Sequence, residues 1–179
     1  AIAGRDINGD TRTLIYHNEN GSLIQDNVSS LSGLMNGALA WGDYDRDGDL
    51  DLFQSGEDRF GNGFTLLYQN NNNVFSSDSR QVPITNLNLR QGGGAWGDYN
   101  NDGRLDLAVS GLTRTNVKST VLYKNTVNDS LILDTAQTLS GTANGQLVWG
   151  YIDNDGNLDL IVSGEGPAAT FTPVLEVYR

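Results

Sequence analysis

Residues 41–56 read WGDYDRDGDLDLFQSG, and this stretch decides the fold because the chain returns to it twice. The second copy, WGDYNNDGRLDLAVSG, covers residues 96–111, and the third, WGYIDNDGNLDLIVSG, covers residues 149–164. The copies begin at Trp41, Trp96 and Trp149, which are 55 and 53 residues apart. Recurrence at such a period indicates an array of similar structural units.

Two landmarks extend the repeat on both sides of this stretch. One landmark is a glycine four residues before each tryptophan. The other is a tyrosine that lies further along the chain, after the different glycine that closes each stretch. Gly4 precedes Tyr16 by 12 residues, the spacing that also separates Gly56 from Tyr68, so the N-terminal residues match the later part of a unit. We therefore expect one domain over residues 1–179, with a partial repeat at 1–36, repeats at 37–91 and 92–144, and a repeat at 145–179 that lacks its last strand.

Each full unit divides into four short segments of strand type, separated by polar turns. In the unit 37–91 these segments cover residues 38–44, 50–54, 64–69 and 74–84. Four antiparallel strands in about 50 residues, repeated, are typical of β-propeller blades. The sequence thus predicts an all-β fold, a β-propeller segment of three to four four-stranded antiparallel blades. Independent small sheets are disfavoured because one blade alone buries too little apolar surface to fold.

The three tryptophans have two interpretations. Each stands near the end of the first strand of its unit, where an indole would pack between neighbouring blades. An exposed indole could instead form a platform for a sugar ring. The same place in every unit favours the core interpretation.

Half of the acidic residues of the chain, eleven of 22, fall in the three loops that follow these first strands. Crowded carboxylates repel one another, and a hard divalent cation removes the repulsion. Ca²⁺ takes about six to eight oxygen ligands. The spacing D-x-[DN]-x-D-G-x-x-D brings the first, third and fifth loop positions around one centre, and its glycine allows the sharp turn. The ninth position closes the site, and the seventh would offer a backbone carbonyl from Asp49, Arg104 or Asn157.

These loops have two other interpretations. Solvated acidic turns would use Asp and Gly for turn geometry alone, but three copies in register favour calcium. An EF-hand would need flanking helices and a bidentate Glu at position 12, where this chain has Gln54, Val109 and Val162. Tyr151 replaces the first carboxylate of the third loop. The sequence therefore predicts two calcium sites and a third of lower affinity.

Together these residues resemble the FG-GAP/VCBS-type repeats of integrin α-subunit propellers and of many extracellular proteins. The resemblance covers essentially the whole chain and rests on the Trp-Gly-Asp-Tyr start, the acidic loop and the Leu-Asp-Leu strand. It implies calcium in the hairpin between the first two strands of a blade, in a propeller that usually has seven blades. The side-chain ligands that it implies are Asp43, Asp45, Asp47 and Asp51; Asp98, Asn100, Asp102 and Asp106; and Asp153, Asp155 and Asp159. Three units and a fraction are too few for such a ring, so its remaining blades would come from a parent propeller or from other copies of the chain.

Composition excludes several classes of partner. Lys and Arg total 11 against 22 Asp and Glu, which gives a net charge of −11 and a pI near 4.2. Nucleic-acid binding and a basic membrane-surface patch both need the opposite charge. No apolar run approaches the roughly 20 residues of a membrane span, and the absence of Cys excludes a disulfide framework. Calcium sites of this kind work at roughly 10⁻⁴–10⁻³ M, so we expect an extracellular location, secreted or at the cell surface.

The sequence gives little support for catalysis, and we expect no enzyme. His17 is the only histidine, and no serine–histidine–acid set can be assembled around it without distorting the repeat. Paired carboxylates of the kind that cleave glycosidic bonds occur only in the acidic loops, where metal would occupy them.

The leading hypothesis is therefore a non-enzymatic extracellular adhesion or recognition module, with a protein or glycan ligand, that forms part of a larger propeller. One alternative is a structural subunit of a self-assembled ring or filament, joined through open strand edges. Another is a lectin-like domain or an accessory domain of a carbohydrate-active enzyme. The most variable loops carry the candidate ligand contacts Arg59, Phe60 and Arg114. Sequons begin at Asn20, Asn27 and Asn128 and predict a glycoprotein.

Overall fold

The computed structural model describes residues 1–27, 31–78, 84, 86–167 and 172–179. Over these residues the chain forms fifteen strands, all paired in antiparallel fashion. The predicted all-β class is confirmed. Each unit defined by the sequence repeat holds its own sheet or pair of sheets, and we call these units 1 to 4 in chain order.

Unit 1, residues 1–36, contains four short strands in two small sheets. They are β1 (Ile2–Arg5), β2 (Thr11–Leu14), β3 (Tyr16–Glu19) and β4 (Ser22–Gln25). β1 pairs with β2, and β3 pairs with β4. Ile15 alone separates β2 from β3, and its side chain is buried against unit 2.

Units 2 and 3 each form one four-stranded antiparallel sheet in sequential order. Unit 2 contains β5 (Leu39–Gly42), β6 (Asp51–Glu57), β7 (Gly63–Asn71) and β8 (Val74–Ser77). Unit 3 contains β9 (Gly94–Gly97), β10 (Asp106–Leu112), β11 (Lys118–Asn125) and β12 (Leu131–Leu133). The four predicted segments are therefore present. Unit 4 has three strands, β13 (Leu147–Gly150), β14 (Asp159–Glu165) and β15 (Pro173–Tyr178).

The strand boundaries of unit 2 differ from the prediction. β6 and β7 extend past the predicted ends at residues 54 and 69, to Glu57 and Asn71, whereas the first and fourth strands are shorter than predicted. The first strand of unit 2 ends at Gly42 and not at residue 44, because the Tyr44 amide donates to the Asp51 carboxylate and so leaves the strand ladder. The fourth strand ends at Ser77, well short of residue 84. Residues 79–83 of that predicted segment lie outside the described residues.

Tryptophan packs between neighbouring units, as predicted. The Trp96 ring stacks on Tyr44 of unit 2, with ring centroids 5.8 Å apart, and its Nε1 donates to the Ala40 carbonyl at 3.3 Å. Between units 3 and 4, Trp149 repeats both contacts with Tyr99 and Ala95. Trp41 packs in a cluster that includes Ile15 of unit 1.

A backbone ladder joins the connections that precede the first strands, and we call it the connector ladder. The Gln91 amide donates to the Asn36 carbonyl and the Asn144 amide donates to the Gln91 carbonyl, both at 2.6 Å. A glycine follows each of these residues, and a Cβ on Gly92 would lie 1.8 Å from the Ser110 carbonyl oxygen. This close approach explains the glycine found four residues before every tryptophan.

Candidate metal centre

The first acidic loop joins β5 to β6 and contains residues 43–50. Arg46 and Gly48 have φ values of 61° and 95°, so the chain reverses direction sharply inside the loop. A glycine adopts this left-handed conformation without strain. The reversal turns the flanking aspartates toward one another.

Three carboxylates of this loop converge. Asp43, Asp45 and Asp51 each place one oxygen within 4.8 Å of the others. Asp51 is fully buried, and it accepts hydrogen bonds from the amides of Tyr44 at 3.2 Å and Asn70 at 2.9 Å. Within the described residues, this is the one place where three carboxylates meet so closely.

The electrostatics of the cluster are unfavourable without a cation. Burial, together with the charges of Asp45 and Asp47, raises the pKa of Asp51 to about 7. The Oδ1 atom of Asp43 is buried and receives no hydrogen bond from the described part of the chain. Leaving a buried charged acceptor unsatisfied costs about 1–3 kcal/mol or more. A cation bound by these oxygens would satisfy Asp43 and neutralise its neighbours, so the residues present fit a divalent metal.

Two of the predicted residues of this loop lie outside the cluster. Asp47 Oδ1 accepts from the Asp49 amide at 2.9 Å. Asp49 Oδ2 accepts from the Asn72 amide at 2.8 Å and so caps the turn between β7 and β8. Both carboxylates therefore stabilise turns in this structure.

The second acidic loop, between β9 and β10, is held by its own hydrogen bonds. Asp98 accepts from the amides of Asp102 at 2.9 Å and Gly103 at 2.8 Å, and Asn100 also accepts from Asp102. Asp106 is fully buried, and burial with the charges of Asp102 and Asp98 raises its pKa to about 6. Its Oδ2 atom receives no hydrogen bond from the described residues.

Arginine distinguishes the second loop from the first. The Arg104 guanidinium contacts Asp102 Oδ2 at 2.5 Å and donates to the Asn125 carbonyl at 3.2 Å. From the sequence, only the backbone carbonyl of Arg104 was expected to contribute, as a metal ligand. Its side chain supplies a positive charge inside the loop, which lowers the need for a metal there.

The third loop, between β13 and β14, carries three predicted side-chain ligands where each of the other loops has four. Tyr151 is 62% exposed, so the position of the first carboxylate points toward solvent. Asp155 accepts from the backbone and side chain of Asn157, both at 2.8 Å, and Asp159 accepts from the Ile152 amide at 2.7 Å. Arg179 lies 3.6 Å from Asp153. The third loop therefore has the geometry of a turn whose own side chains accept hydrogen bonds from its backbone amides.

The candidate ligand contacts fall in two places. Arg59 lies 4.7 Å over the exposed Phe60 ring. Arg114 instead faces a cavity of about 400 Å³ between the loops of units 2 and 3, together with Arg90, which the sequence did not single out. Arg90 contacts Glu57 at 3.8 Å. The other polar and aromatic residues of the wall are Asn62, Phe64 and Asn88.

The remaining predicted positions lie at the surface. His17 contacts Asp26 at 2.7 Å on an exposed strand. Asn20 and Asn128 lie in exposed turns, whereas Val28 and Ser29 of the Asn27 sequon lie outside the described residues. No helix in the described ranges has the length and apolarity needed to cross a membrane. The chain matches no protein-family model, no curated protein and no solved structure.

Proposed function

We propose that this chain is a segment of a calcium-stabilised β-propeller of the FG-GAP/VCBS type, with each sheet unit as a blade. We further propose that it serves as a non-enzymatic extracellular adhesion or recognition module. The observation that carries the proposal is the convergence of Asp43, Asp45 and Asp51, together with the buried Oδ1 atom of Asp43, which receives no hydrogen bond from the described residues.

Calcium is the metal that this donor set favours. All three converging side chains offer oxygen atoms, and Ca²⁺ accepts carboxylate oxygens together with carbonyls and water in a flexible geometry. Asp51 already joins the loop to β7 through the Asn70 amide. An ion bound by Asp51 would therefore hold the β5–β6 loop against the third strand of the same blade.

A calcium site of this kind supports an extracellular location and a recognition role. Sites in extracellular modules bind at roughly 10⁻⁴–10⁻³ M calcium, a concentration found outside cells. The cavity beside Arg90 and Arg114 lies between variable loops, where binding residues concentrate on a rigid scaffold. An acidic protein that gathers two arginines at one cavity favours a ligand that carries negative charge.

A self-assembled subunit is the second candidate. Unit 1 exposes Ile2 by 60% and Leu23 by 69%, and unit 4 exposes Leu175 by 75%. Exposed apolar side chains at both ends of a repeat array favour contacts with further units.

The calcium proposal is tested by thermal unfolding of the wild type and of Asp43→Asn, in about 2 mM calcium and in excess chelator. Asparagine keeps the side-chain shape and removes one negative charge. Calcium is expected to stabilise the wild type by roughly 1–2 kcal/mol through linkage. Asp43→Asn should lose most of this gain, and in chelator it should be at least as stable as the wild type, because repulsion in the cluster is relieved.

Asp10→Asn is the matched control, because it removes the same charge from an exposed carboxylate outside the cluster, which lies 3.5 Å from Arg59. It should keep the full calcium gain. If Asp43→Asn gained as much as the wild type, the cluster would not be the site. If the wild type gained nothing, the calcium proposal itself would fail.

A further inference from the structure

The tight loops that follow β1, β6 and β10 share one geometry. They comprise residues 6–10, 58–62 and 113–117, and in each loop the first amide donates to the fifth carbonyl at 2.8, 3.0 and 2.9 Å, respectively. In the first two loops an aspartate at the first position also accepts from the third and fifth amides. Positions in these loops can therefore be compared directly between units.

An arginine at the second position of one loop faces the fifth position of the loop before it. In unit 2, Arg59 Nη1 lies 3.5 Å from the Asp10 carboxylate of unit 1. In unit 3 the corresponding arginine is Arg114, and the fifth residue of the unit 2 loop is Asn62. Arg114 and Asn62 line one cavity. The interface between units 2 and 3 thus has a neutral amide where the preceding interface has a carboxylate.

Asn62 does not replace the missing carboxylate. Its side chain carries no charge, and its Nδ2 atom donates to Asp58 Oδ2 at 2.9 Å. Arg114 is exposed and forms no ion pair within the described part of the chain. A negatively charged group bound in the cavity would give Arg114 the partner that Asp10 gives to Arg59.

A second arginine is fixed beside Arg114. Arg90 precedes β9, its side chain is only 19% exposed, and its guanidinium contacts Glu57 at 3.8 Å and donates to Asn116. Glu57 lies outside the cavity wall, where it offsets the charge of Arg90 and leaves that of Arg114. The residue that corresponds to Arg90 in unit 2 is Met35, so the preceding interface has no second arginine at this position.

The rest of the cavity wall offers one aromatic ring, which is only partly buried, and two amide side chains. No acidic residue belongs to the described lining, and the volume of about 400 Å³ is typical of small-ligand sites. An aromatic face beside hydrogen-bonding amides suits a sugar ring, which has an apolar face and hydroxyl groups at its edge. We call this site the arginine cavity, and its polar and aromatic lining residues are Asn62, Phe64, Asn88, Arg90 and Arg114.

We propose that the arginine cavity binds a sugar that carries a carboxylate, of the uronic acid class. The carboxylate pairs with Arg114 as Asp10 pairs with Arg59, and Arg90 adds a second donor. Planar, bidentate pairing with a carboxylate is a contact for which the guanidinium group is suited. The sugar ring lies against Phe64, and the two amides bind its hydroxyl groups. The inference rests on the proposed recognition role and identifies the chemical class of its ligand.

The arginine cavity and the first acidic loop lie at opposite ends of β6. This strand begins at Asp51, directly after the acidic loop, and ends at Glu57, directly before the loop 58–62 that forms one wall of the cavity. Its seven residues span roughly 20 Å. Sugar binding and calcium binding can therefore be measured independently of each other.

The test is a titration of the full chain with glucuronate, followed by two-dimensional NMR of the backbone amides and the arginine side-chain N–H groups. Glucose supplies a similar ring without the carboxylate, and acetate supplies the carboxylate without the ring. Glucuronate is expected to bind with a dissociation constant of roughly 1 mM. Glucose and acetate should each bind at least about tenfold more weakly. The signals of the Arg114 Nε–H and of the Gly63 amide should shift with glucuronate.

Asn62→Asp is the decisive variant, because it restores in the unit 2 loop the carboxylate that unit 1 has at Asp10. The new carboxylate should pair with Arg114 and compete with the ligand, so the affinity for glucuronate should fall at least about tenfold. Arg114→Gln should have the same effect. Arg59→Gln is the matched control, because this arginine holds the corresponding position in unit 2 but already has Asp10 as its partner. It should leave the affinity unchanged.

Several outcomes would overturn the proposal. Absence of glucuronate binding at about 10 mM, tenfold above the expected dissociation constant, would do so. Equal affinity for glucose would remove the role of the carboxylate, and equal affinity for acetate would leave a simple anion site. Tighter binding of a short peptide with one aspartate would assign the cavity to peptides.

Full glucuronate affinity in both Asn62→Asp and Arg114→Gln would also overturn the proposal, because the sugar would then bind elsewhere on the chain. The calcium proposal is judged separately, by the calcium stabilisation of the wild type and its loss in Asp43→Asn. Asp43→Asn should bind glucuronate as the wild type does, so failure of one proposal is distinguishable from failure of the other.

Discussion

Trp96→Ala is expected to lower the free energy of unfolding by about 3–5 kcal/mol. The indole stacks on Tyr44 and packs in the cluster formed by units 2 and 3, which also contains Phe53 and Leu107. Its removal also leaves a void over Gly42, because the backbone there has no side chain to fill it. Urea unfolding followed by circular dichroism measures the effect.

Phe60→Ala is the matched control for Trp96→Ala. Phe60 is 74% exposed, and its ring contacts only the Arg59 side chain among the described aromatic and cationic pairs. This change should alter the free energy of unfolding by less than about 0.5 kcal/mol. A loss as small as this for Trp96→Ala would place the indole at the surface and revive the sugar-platform interpretation.

The dependence of stability on pH should reverse its sign when calcium is added. In chelator, burial raises the folded pKa of Asp51 to about 7 from an ordinary aspartate value of 3.8, so the folded state binds the proton more tightly. The contribution of Asp51 is therefore greatest below about pH 4 and is lost as the pH rises toward 7. The loss is on the order of 2 kcal/mol. Asp106, with a folded pKa of about 6, acts in the same direction.

Calcium requires ionised carboxylates, so in its presence stability should instead rise over the same pH range. Unfolding of the wild type and of Asp51→Asn is compared from pH 4 to pH 7, because the difference isolates Asp51 from the other carboxyls. In chelator the wild type should lose stability relative to the variant as the pH rises. A difference that has the same slope with calcium and with chelator would mean that Asp51 does not contact the ion.

The repeat predicted the all-β class and the four strands of each full unit, and the structure adds that the units share one register. Trp41, Trp96 and Trp149 lie opposite Leu52, Leu107 and Leu160 on the next strand. Equal register in every sheet is what an internal repeat requires. The connector ladder was not predicted, although the glycine before each tryptophan marked its place, because close approach of two backbones has no sequence pattern of its own.

The acidic loops were predicted less completely. Spacing cannot distinguish an aspartate that converges on an ion from one that caps a turn, because both need a short side chain next to a reversal. Asp43 and Asp47 occupy equally regular positions, but Asp43 joins the cluster and Asp47 caps the Asp49 amide. The side-chain contact of Arg104 was not predicted for a related reason, since its long side chain folds back onto its own loop.

Isothermal titration of the full chain with calcium chloride is the most direct test of the account. We expect at least one calcium site per chain, with a dissociation constant of roughly 10⁻⁴–10⁻³ M. That site should disappear in Asp43→Asn and remain in Asp10→Asn. Absence of binding by the wild type at about 10 mM calcium, well above this range, would contradict the account.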